Sequence, residues 1–144
     1  DLDPDEQAAV LCHEMGHNIN LKEAKGGITL SAQDRSTLAT IRQEARCPTG
    51  VERPSPGGCN HEYLADEVCN RLLLPKVSPD KHMVYQIAPP HHTYRYMDTL
   101  IDSTTHAQNT CHIRVYEAWH VDESPPSRCA GKPYVDHFNH PKVS

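Results

Sequence analysis

The residues with the clearest chemical capacity are His13, Glu14 and His17, in the run His13-Glu14-Met15-Gly16-His17. Two histidines four apart on a helix share one face, where both imidazoles can reach one Zn²⁺. The glutamate after the first histidine then projects beside the open side of the metal. There it can act as general base on a bound water and pass the proton to a leaving amine. Gly16, next to the second histidine, leaves room for another backbone to approach closely. With eleven histidines in 144 residues, a single histidine means little, so spacing and helical setting carry the reading.

A catalytic zinc site wants a third protein ligand, and two glutamates compete for the role. Glu62 begins the run Glu62-Tyr63-Leu64-Ala65-Asp66, and Glu62, Asp66 and Cys69 share one face of a helix at spacings of four and three. Two acids and a thiol on one face suit a cation opposite them. Asp66 would then accept a hydrogen bond from a ligand imidazole and fix its tautomer. The competitor is Glu23, six residues after His17, where metzincins place their third ligand. In that motif this chain has Asn20 in place of the turn glycine and Glu23 in place of the histidine.

The elements that must hold these residues are partly legible. Asp3, Pro4 and Glu6 form the start of a helix, with Leu11, Met15 and Ile19 as an apolar stripe and Lys25-Gly26-Gly27 as its end. A second helix is expected from Ser31, with Asp34 three residues on and Leu38, Ile41 and Ala45 facing inward. Cys47 to Cys59 is a Pro/Gly-rich loop, and a Cys47–Cys59 bridge is the simplest pairing across it. Asn60 caps a third helix, His61 to Leu74, with Leu64, Val68 and Leu72 on one side and Pro75 as its stop. Met83 to Ala88 and Cys111 to Ala118 read as strands, Thr93 to Ile101 as a helix, and about 122–144 as an irregular tail.

Composition narrows the classes. The chain reads as one domain, 1–144, with net charge −5 and no basic stripe, so neither nucleic acid nor a membrane surface is expected as partner. Six cysteines lean towards a secreted or extracytoplasmic protein with disulfides, although their pairing is open. Cys69 is expected to be a structural thiol or disulfide, and Cys12 to point away from the histidine face. An oxyanion-stabilising donor is sought among His91, His92, Tyr94, His112, Tyr116 and His120 without a choice between them.

The pair of motifs, His-Glu-x-x-His and then Glu-x-x-Ala-Asp, resembles the gluzincins. The helix from Glu62 to Pro75 is similar to the second-motif helix of the ImmA/IrrE metallopeptidases and to that of the minimal M48-like peptidases. The resemblance covers about a quarter of the chain. It implies zinc ligated by His13, His17 and Glu62, with Glu14 as base, in a zinc-dependent endopeptidase acting on protein or peptide substrates. The fold expected is a small α+β, zincin-like domain with two helices crossing at the zinc and a short sheet beside them. The other readings are a metzincin-like protease using Glu23, a non-catalytic zinc module whose site is closed by His61, Cys69 or a later histidine, and a toxin or regulator whose peptidase scaffold acts on one partner protein.

Overall fold

A computed structural model describes residues 4–50, 59–87, 97–114 and 127–137. The architecture is mixed α+β. Helix α1 (Pro4–Ala24) and α2 (Ala32–Ala45) precede α3 (His61–Val68), which widens into a π turn (Cys69–Leu73) and continues as α4 (Leu74–Val77). Strands β1 (Lys81–Ile87) and β2 (Met97–Asp102) follow, then α5 (Ser103–Asn109), β3 (Cys111–Ile113), a short 3₁₀ turn (Ser127–Cys129) and β4 (Tyr134–Asp136). The four described strands form one sheet in the order β2-β1-β4-β3. β1 runs antiparallel to β2, with Tyr85 opposite Asp98, while β3 and β4 run parallel.

Helix starts follow local chemistry. Ser31 caps α2 by accepting from the Asp34 N–H at 3.1 Å, and Asn60 caps α3 by accepting from the Tyr63 N–H at 3.1 Å. Leu38, Ile41 and Ala45 of α2 are fully buried against Leu64, Val68 and Leu72, as their spacing predicts. Gly26, at φ 75°, ends α1 in the left-handed region that glycine adopts without strain.

Helix α1 departs from expectation in an instructive way. Its buried positions are Ala9, His13, Gly16 and Asn20, whereas Leu11 and Met15 of the apolar stripe are exposed at 61% and 40%. The packing face is instead the one whose residues are small or make polar contacts. Gly16 meets the backbone of Ala65 so closely that an added Cβ would stand 2.9 Å from the Ala65 carbonyl carbon. Close helix contact, not side-chain apolarity, orients α1. The displaced stripe borders an apolar groove of about 260 Å³ with Leu74, Val77 and Leu100.

Three further expectations are corrected, and one helix is added. Pro75 does not stop the third helix. The π turn rephases the chain so that Pro75 falls in the first turn of α4, where its missing N–H goes unused. Residues 97–101, read as the end of a helix, belong to β2, because pairing with β1 satisfies that backbone and overrides local propensity. The 122–144 tail contains β4, buried throughout and paired on both sides. Helix α5, unread in the sequence, is capped by Asp102, which accepts from the Thr104 N–H at 2.9 Å.

Three disulfides join Cys12 to Cys69, Cys47 to Cys59, and Cys111 to Cys129. The second is the pairing expected from the loop it brackets. The first makes Cys69 the disulfide expected of it and gives it Cys12 as partner, across α1 and the π turn. No described helix is long and apolar enough to cross a membrane.

Candidate metal centre

Helix α1 delivers His13 and His17 to the N-terminal end of α3, where Glu62 stands. The two Nε2 atoms are 3.1 Å apart; Glu62 Oε1 is 3.1 Å from His17 Nε2, and Glu62 Oε2 is 3.3 Å from His13 Nε2. Bonds of about 2.0–2.1 Å in a tetrahedral shell place neighbouring donor atoms about 3.3 Å apart. The two ring nitrogens and the Glu62 carboxylate, with one oxygen near each ring, thus sit at a spacing that suits one cation. The ring planes of His13 and His17 are inclined at 84°, so the two nitrogens converge and do not simply stack. His13, His17 and Glu62 could therefore hold a metal ion.

Behind the triad, His13 Nδ1 lies 2.7 Å from Asp66 Oδ1, the contact expected of a residue that orients a ligand imidazole. A second carboxylate, unread in the sequence, reaches the same nitrogen: Asp98 Oδ2 from β2, at 3.3 Å. The local sequence of its segment suggests a helix, whereas pairing with β1 makes it the strand that carries Asp98 to His13. His61, the first residue of α3, places Nε2 3.4 Å from Glu62 Oε1.

The electrostatics match a cation site. Burial works against charge on His13, but its hydrogen bonds to the Asp66 and Glu62 carboxylates outweigh that and push its pKa up to about 11. Burial likewise opposes charge on Glu62, yet bonds to His13 and His17 hold it well below the usual carboxylate range. Burial raises Asp66, and burial together with the charge of Asp66 raises Asp98 to about 8. Positive charge is favoured at the His13 ring, and a cation bound there would release a proton.

Glu14 is exposed, one residue on from His13, and takes part in none of these ligand contacts. Glu23 is directed elsewhere. It pairs with Arg42 Nη1 at 2.9 Å, while Arg42 Nε donates to Asn20 Oδ1 at 2.7 Å. Helix α1 runs straight through Asn20 to Ala24, so the turn that a metzincin-like third ligand needs is not made. Cys69 is disulfide-bonded and supplies no thiolate. His91, His92, Tyr94, Tyr116 and His120 lie outside the described residues.

His112 belongs to a separate row of rings. It lies 2.9 Å from His137 (Nδ1 to Nε2), and the rings of His106 and His82 extend the row with centroids 4.4 and 4.2 Å apart. Burial, then the charges of neighbouring rings, lowers His106 and His112 to about 4, and burial lowers His82 and His137 as well. Unfolded histidines take up protons near pH 6.5, before these native rings do. The stability that depends on these rings is therefore lost as pH falls from about 6.5 to about 4. After discounting for the partial exposure of the rings, the expected loss is on the order of 2 kcal/mol. Urea unfolding at pH 7.5 and 4.5 measures it. A His106→Asn/His112→Asn variant should show a smaller drop, and an equal drop would refute the assignment.

No protein family matches this chain, and neither a curated protein nor a solved structure matches it.

Proposed function

We propose that the chain is a zinc-dependent endopeptidase of the glutamate-ligand type, with His13, His17 and Glu62 as ligands and Glu14 as general base. The observation that carries this reading is the 3.1–3.3 Å spacing of the two ring nitrogens and the nearest Glu62 carboxylate oxygens, with an exposed glutamate next to the first histidine. Zinc held there supplies Lewis acidity and makes water acidic enough to attack a peptide carbonyl at neutral pH. Glu14 takes the proton of the attacking water and hands it to the leaving amine. Asp66 keeps His13 in the tautomer whose Nε2 lone pair faces the ligand cluster. Three disulfides favour an extracytoplasmic setting, and the substrate class is protein or peptide.

One observation favours a second reading, a closed, non-catalytic site: His61 Nε2 stands 3.4 Å from Glu62 Oε1, near enough to approach as a fourth ligand. Elemental mass spectrometry on the purified protein tests the common ground. About one zinc per chain is expected, lost or strongly weakened in Glu62→Ala. Full retention in the variant would remove Glu62 from the ligand set. No zinc in the parent, even after reconstitution, would end both readings.

A further inference from the structure

The contacts around His13 assign a role to a residue that the ligand motifs do not contain. Its Nδ1 carries a single hydrogen when Nε2 faces a metal, yet two carboxylates converge on that nitrogen. Asp66 approaches from α3 at 2.7 Å and Asp98 from β2 at 3.3 Å. Asp98 is 15% exposed in its side chain, and its ion-pair partner among the described residues is His13. A carboxylate this far from water, next to the still more buried Asp66, is an expensive choice for mere packing. Asparagine would fill the same space at lower electrostatic cost.

We propose that Asp98 is a second positioning residue of the metal centre. Asp66 fixes the imidazole from the helical side and Asp98 from the sheet side, so the ring of His13 is held between two layers of the fold. Two effects follow. The plane of the ring is pinned before the metal arrives, and the Asp66 carboxylate, braced by Asp98, makes its Nε2 a stronger donor. The placement also ties the site to the β1–β2 hairpin, since the partner of Asp98 in the ladder is Tyr85. This inference rests on the metalloprotein reading above and adds to it a residue that acts through a ligand without touching the cation.

The test is Asp98→Asn in the full chain, with zinc affinity measured by chelator competition and the visible spectrum of the cobalt(II)-substituted protein as second readout. Zinc binding is expected to weaken roughly 10- to 100-fold, the usual effect of losing such a partner. The cobalt bands should shift, while the Tm of the metal-free protein stays close to that of the parent. Asp98→Ala gives an independent variant should the asparagine protein fail to fold. Unchanged affinity and an unchanged cobalt spectrum would overturn the proposal, as would a lowered metal-free Tm without any effect on the metal. Two metal equivalents in the parent, one of them lost in the variant, would make the Asp66–Asp98 pair a cation site in its own right and also overturn it. A parent that binds no zinc fails the metalloprotein reading first, and this inference with it.

Discussion

Replacing Glu14 by glutamine is expected to leave zinc bound at the parent's stoichiometry and to lower peptide hydrolysis by roughly 10²- to 10⁴-fold, the contribution of a positioned general base. The metal half of this expectation follows from geometry. None of the contacts at 3.1–3.3 Å that bring His13, His17 and Glu62 together involves Glu14, which is exposed. The catalytic half follows from chemistry: glutamine keeps the shape and polarity of the side chain but cannot take up a proton at neutral pH. The measurement is kcat/KM on casein or a quenched peptide library, paired with metal content on the same preparations. Undiminished hydrolysis would remove Glu14 as base. Zinc loss in the variant would mean that the glutamate supports the metal and not the proton transfer.

Breaking the Cys12–Cys69 bridge is the second large effect. The bond spans 57 residues, and the chain-entropy model gives about 4 kcal/mol for a loop of that length. The same relation gives about 3 kcal/mol for Cys47–Cys59, which closes only 12. Position matters as well as length. Cys12 immediately precedes His13, and Cys69 follows Asp66 by three residues, so the bridge clamps α1 onto the helix that supplies Glu62. A Cys12→Ala/Cys69→Ala variant should unfold at markedly lower urea and bind zinc more weakly than the corresponding Cys47→Ala/Cys59→Ala variant. Equal zinc affinity in the two would show that the contact of Gly16 with Ala65 suffices to hold the helices in register.

Some of this was readable from the residues because the relevant physics is local. Histidines four apart must share a helical face, Ser31 and Asn60 must seek the N–H groups of a helix start, and Leu38, Ile41 and Ala45 must turn to one side. The pairing across the 47–59 loop belongs to the same class, since a short loop keeps its ends close.

What the tertiary structure alone decided is everything that depends on which face meets which. Helix α1 carries both an apolar stripe and a His/Gly face, and periodicity favours the stripe. The close approach permitted at Gly16 buries the other face and leaves Leu11 and Met15 outside. Residues 97–101 carry no decisive local preference, and only pairing with β1 makes them a strand, which is what brings Asp98 to His13. The buried strand β4 is three residues long and acquires its state from neighbours on both sides. The type of site was thus written in short-range spacing. Its depth and its second carboxylate arise from contacts between segments far apart in the chain, and no local pattern carries that information.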